Sequence, residues 1–135
     1  EIRRPEISGL ASKVSAYGCV RRKMVEMQRR IAAMMSCVMD GRDIGTNVLP
    51  NTEHKFYVTA SVEVRAKRRY DEDRAKGYDV SYENIVKEIR ERDKRDSERE
   101  IAPLRCAEDA VVVDTSSMTP EEAVEFIKNK IQEKI

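Results

Sequence analysis

The chain has 135 residues and a mass of 15.6 kDa, about one domain's worth, with 40% hydrophobic and 38% charged residues and a net charge of +1. No apolar run approaches the ~18–20 residues that cross a bilayer, and the start, EIRRPEISGL, lacks the apolar stretch of a signal peptide. The charge is uneven: residues 1–34 hold eight Lys/Arg against three acids, residues 63–100 hold twelve of each sign, and residues 101–135 hold four basic against seven acidic. A basic N-terminal third can face phosphate, but the balanced middle is not the one-signed patch of a nucleic-acid surface.

In chain order, residues 5–17 are predicted as a short helix, with Pro5 in its first turn and Ile7, Leu10, Ala11 and Val14 at helical spacing. Gly18 is expected to break it. A second helix from Val20 to about Met34 is expected to bury a stripe of Met24, Met27, Ile31 and Met34/Met35. Cys37–Asp40 reads as a short buried strand ending in a carboxylate, followed by a turn with Gly41 and Gly45. Lys55–Ala60 and Ala110–Asp114 read as two more strands, apolar on both faces as parallel strands between helices tend to be. Residues 61–76 and 82–100 read as charged helices around a turn at Gly77. The last helix has Thr119 as N-cap, Pro120 at its first position and Glu122 completing a capping box. Strands alternating with helices argue for an α/β sandwich with a parallel sheet.

Three clusters can carry chemistry. Asp40, Arg42 and Asp43 fall at the carboxyl end of a predicted strand, where open parallel sheets bind ligands; a tight turn with a surface Arg–Asp pair explains them equally well. Arg92, Asp96 and Arg99 share a helix face, and two guanidinium groups around a carboxylate suit a nucleotide's phosphate and sugar. Ordinary helix ion pairs are the plainer explanation of that face. Arg65, Arg68 and Arg69 can clamp polyphosphate charge or simply form a solvated face. Three cysteines (Cys19, Cys37, Cys106) without a C-x-x-C argue against a disulfide framework or a zinc site and for a reducing cytosol. His54 stands alone, and no G-x-x-x-x-G-K-[ST] phosphate loop occurs in these residues.

Several motifs together make the chain recognisable: D-G-R-D-I-G-T at 40–46, K-F-Y-V-T-A-S-x-E-x-R-A-x-R-R at 55–69, K-G-x-D-V-S-Y-E at 76–83, E-I-R-E-R-D-x-R-D-S at 88–97 and A-P-L at 102–104. I-R-x-P-E-x-S at 2–8 and A-S-x-V-S at 11–15 belong to the same set. In that order and spacing the chain resembles bacterial cytidylate (CMP) kinase over nearly its whole length. The resemblance implies an α/β fold: a three-layer, P-loop NTPase-like parallel sheet flanked by helices, of the nucleoside monophosphate kinase type and incomplete at its N-terminus. Within it, residues 1–36 would end the CMP-binding helices, 37–60 and 101–135 would form the core, and about 61–100 the lid.

The implied activity is transfer of the ATP γ-phosphoryl group to CMP or dCMP with Mg²⁺, in the cytoplasm, without nucleic-acid or membrane partners. Arg21, Asp43 and Arg99 would surround the cytosine ring, Ser12, Arg92 and Asp96 would approach the sugar, and Arg42 would contact phosphate. Arg65, Arg69 and Arg95 would be lid cations over ATP. Without a phosphate loop, a chain of these residues alone is not expected to turn over ATP, and an uncovered sheet edge is expected to drive self-association. The alternatives are a UMP/CMP-type kinase of broader specificity and a non-catalytic nucleotide-binding or assembly module.

Overall fold

A computed structural model describes residues 5–133, excluding the side chains of residues 5, 6, 8, 9 and 12. It contains two compact units, one formed by residues up to 51 together with 95–105, the other by residues 52–94 together with 106 onward.

The first unit begins with α1 (Pro5–Val14) and α2 (Gly18–Met34). Gly18 is the first residue of α2 and not the breaker; the chain turns over Ser15–Tyr17. The stripe expected to be buried on α2 is exposed: Met24 is 49%, Met27 46%, Ile31 47% and Met34 77% accessible. Helical periodicity specifies a face that seeks cover but does not say what supplies it. Residues 37–40 form no strand, and Val38 is fully exposed. A short apolar run reads the same whether or not a neighbour bonds to it. The two-glycine turn is wound into a π-helical turn over Ile44–Val48.

The second unit is α/β. β1 (Phe56–Thr59) pairs in parallel with β2 (Val111–Asp114), from Phe56 opposite Val111 to Thr59 opposite Asp114. These are two of the three expected strands. Buried Lys55 locks their start through Asp109, 2.5 Å away. Their far end is tied by Thr115, whose N–H and hydroxyl both donate to the Thr59 carbonyl. Val113 is buried, whereas Val58 and Val112 are more than half exposed.

Two charged helices follow β1 in this unit: α3 (Val62–Ala75) and α4 (Tyr82–Glu98), whose last residues count with the first unit. Their few apolar residues suffice for a small core of Ala66, Ile85 and Ile89, packed by Val62, Tyr70, Val80, Tyr82 and Val86. Tyr70 and Tyr82 meet edge to face at 6.1 Å, a favoured geometry for aromatic pairs. α3 ends on Gly77 at φ +83°, whose N–H donates to Arg74 while that of Tyr78 reaches Asp73, closing the last carbonyls as a left-handed cap does. α5 (Pro120–Gln132) opens with the expected capping box: Thr119 accepts from the Glu122 N–H, and Glu122 accepts from the Thr119 N–H.

Candidate functional site

The site grows from the π-helical turn of the first unit. The Asp43 carbonyl accepts from the N–H groups of both Asn47 (2.9 Å) and Val48 (3.1 Å), and the Leu49 N–H reaches Ile44 at 2.7 Å. Gly41 makes room for this winding, since a Cβ there would meet Ile44 Cγ1 at 2.9 Å. From α2, Arg29 fastens the turn: its Nε donates to the Val48 carbonyl (3.0 Å) and its Nη2 to that of Asn47 (2.7 Å). Val48 is buried beneath.

So held, Asp43 faces two arginines. Arg21, on α2 and 9% exposed, donates from Nη1 to Asp43 Oδ2 at 2.7 Å, and its Nε holds the Ser15 carbonyl at 3.2 Å. Asn47 Nδ2 donates to the same Oδ2 at 3.0 Å. Asp43 Oδ1 stands 4.0 Å from Arg99 Nη2, beyond hydrogen-bond length. That Nη2 is buried and has no hydrogen-bond partner among the described residues. Arg99 is aimed by its Nε, which donates at 2.5 Å to the carbonyl of Ala102, a residue held at φ 49°. Left-handed backbone is costly for alanine, by roughly 1–2 kcal/mol, and such strain concentrates at functional sites.

A second carboxylate completes the cluster. Asp96 Oδ2 pairs with Arg42 Nε at 2.5 Å, and Asp96 Oδ1 lies 3.8 Å from Arg99 Nη1. Among the described residues, three guanidinium groups (Arg21, Arg42 and Arg99) thus gather around the carboxylates of Asp43 and Asp96. Burial, then the charge of Arg21, pulls the Arg99 pKa below its ordinary value, against the opposing pull of Asp43 and Asp96. A guanidinium stays charged in a protein, so further negative charge or hydrogen-bond acceptors here are favoured. Along α2 opens a cavity of about 590 Å³ that shares Arg21 and Asn47 with the cluster and is floored by Val25, Ala33 and Ile101.

The structure therefore brings together Arg21, Arg42, Asp43, Asp96 and Arg99. Ser12's side chain lies outside the described residues. Arg92 and Asp96 both lie on α4, four residues apart, and Arg99 lies just past its end, so the helix face expected for all three carries the first two. In the second unit, Arg65 forms a two-pronged pair with Asp93 (3.1 and 2.7 Å) and donates to the Ala60 carbonyl. Arg69 pairs with Asp73 and Glu88 at 3.6 and 3.0 Å. Arg68 binds Thr115 and the Met118 carbonyl. Arg95 is exposed near the end of α4.

Sequence reasoning missed Asn47. Its signal was the i, i+4 spacing from Asp43, which pairs side chains on a helix but goes unread when the segment is taken as a turn. Among the described residues no three His, Cys, Asp or Glu gather to hold a metal ion.

A family model described as "Cytidylate kinase" matches residues 1–133. The cytidylate kinase of Bacillus subtilis (strain 168) is 50% identical over 133 residues, covering 98% of this chain and 59% of that protein. The cytidylate kinase of Caldicellulosiruptor bescii is 51% identical over 127 residues, 94% of this chain and 56% of its own length. That of Thermosipho melanesiensis is 48% identical over 134 residues, with 99% and 62% covered. The chain spans about 60% of the length of the curated relatives it matches.

Proposed function

The chain belongs to the cytidylate kinase family, and from that premise we propose that it carries the acceptor-nucleotide side of a kinase moving the ATP γ-phosphoryl group to CMP or dCMP. One observation carries this reading: Arg99 Nη2, a buried donor without a hydrogen-bond partner among the described residues, and Asp43 Oδ1, an acceptor 4.0 Å from it, are offered side by side. The edge of cytosine presents the complement, an exocyclic amino group that donates beside ring N3 and O2 that accept. Uracil places a carbonyl where Asp43 needs a donor, and a site built for one edge rejects the other because its own groups are left unpaired.

In this reading Arg21, Asp43 and Arg99 hold the base, Ser12, Arg92 and Asp96 approach the sugar, and Arg42 meets the phosphate. Arg65, Arg69 and Arg95 would serve as lid cations for ATP, which requires Arg65 and Arg69 to exchange their carboxylate partners for phosphate oxygens. ATP and Mg²⁺ are the kinase's co-substrate and metal in this reading. The three exposed free cysteines suit a reducing cytoplasm, and no nucleic-acid or membrane partner is part of the reading. Among the described residues the sheet has two strands with open outer edges, which invite pairing, so the chain is expected to self-associate; a monomer by light scattering at high concentration rejects that point.

Calorimetric titration with CMP, UMP and ATP tests the assignment. CMP should bind at least about tenfold tighter than UMP, a difference of about 1.4 kcal/mol. Asp43→Asn, whose amide can also donate to a uracil carbonyl, should bring the two together. Equal binding of CMP and UMP by the unaltered chain, or none of either, rejects the proposal.

A further inference from the structure

Resting on that nucleotide reading, we infer that Asn47 is a positioning residue that sets the preference for cytosine over uracil by fixing the rotation of the Asp43 carboxylate. A carboxylate's last torsion is broad, so one partner does not fix the plane in which its oxygens meet a ligand. Here Oδ2 receives two donors, Arg21 Nη1 at 2.7 Å and Asn47 Nδ2 at 3.0 Å. Both are satisfied by the same oxygen, and Oδ1 is left for an incoming amino group.

Asn47 is itself anchored independently of its side chain. Its N–H donates to the Asp43 carbonyl, and its own carbonyl is gripped by Arg29. A continuous relay of hydrogen bonds therefore runs from α2 through Asn47 to Asp43. A neutral amide is the donor this position needs. A lysine or arginine would add a further cation beside Arg21, Arg42 and Arg99, and a carboxylate would repel Asp43.

Without the amide, Asp43 keeps Arg21 but gains freedom to swing. A swung carboxylate no longer confronts the uracil carbonyl, so the penalty on UMP falls while CMP loses its fixed acceptor. The effect is on the ratio of the two nucleotides, whereas mere support of the turn would weaken both alike.

The test titrates the unaltered chain, Asn47→Leu (similar in size, without a donor) and Asn47→Ala with CMP and UMP, alongside thermal melts. The CMP-to-UMP affinity ratio should fall about tenfold in both variants, the scale of one hydrogen bond to a charged group, with melting temperatures little changed. A ratio that stays at the unaltered value, or equal losses for both nucleotides, overturns the role of Asn47 and leaves the nucleotide reading intact. Absence of CMP preference in the unaltered chain instead overturns the nucleotide reading, and this inference with it. Should either variant unfold, the side-chain amide resonances of Asn47 decide: they should shift in Asp43→Asn, and unmoved signals overturn the contact.

Discussion

Arginine is put to opposite uses in the two units. In the second, each guanidinium group of α3 with a described role is matched: Arg65 by the fork of Asp93, Arg69 by Asp73 and Glu88, Arg68 by Thr115 and the Met118 carbonyl. Those pairs sit on a unit that also has an apolar core and capped helix ends. In the first unit, among the described residues, three guanidinium groups gather around two carboxylates, a buried nitrogen of Arg99 goes without a hydrogen bond, and a strained alanine carbonyl aims the side chain. Hydrogen bonding separates the two cases. Charges that satisfy one another hold a fold; charges left short of acceptors mark a site.

The contrast can be broken most directly at its deepest pair. Asp43→Ala leaves Arg21 buried without its carboxylate and should cost about 3–5 kcal/mol in urea denaturation. A loss below about 1 kcal/mol would mean that the cluster is no more buried than a surface pair. Arg65→Met in the second unit breaks a pair about one-third exposed on each side and should cost only about 1–2 kcal/mol. A comparable amount, roughly 1–2 kcal/mol, is expected for Gly77→Ala, which forces a Cβ into left-handed backbone at the end of α3. Unlike the two charge deletions, this loss should be indifferent to added salt.

The smallest effect concerns Asp114. Hydrogen bonds from the Ser116 hydroxyl and then its N–H hold the exposed Asp114 carboxyl below the ordinary aspartate range. A depressed folded pKa contributes stability that is present above the unfolded pKa and is lost as pH falls through the folded one. Ser116→Ala should move the Asp114 titration, followed by carbon-13 NMR, upward toward the ordinary value. An unchanged midpoint would show that the hydroxyl contributes nothing there.

Some of this was legible because the signal is local. The capping box of Thr119 and Glu122 involves four consecutive residues, and the two observed strands are runs of aromatic and β-branched residues with polar ends. The convergence of Arg21, Asp43 and Arg99 was expected from the resemblance and from no spacing rule, since the three are far apart in the chain. What escaped depends on what lies opposite. The α2 stripe and residues 37–40 carry patterns that describe a need for cover or pairing, and neither need is met within the described residues of their unit. Asn47 escaped because a turn wound by i, i+5 hydrogen bonds looks, in sequence, like any glycine-flanked loop.

The bare face of α2 has a chemical corollary. Met24, Met27, Met34 and Met35 present their thioethers to solvent, while Met39 and Met118 are half-sheltered. Peroxide turns accessible methionine into its sulfoxide, a polar group unsuited to an apolar contact. Brief oxidation followed by peptide mass mapping would therefore distinguish the four from the two, and any binding partner that masks the helix would register as sulfur atoms spared.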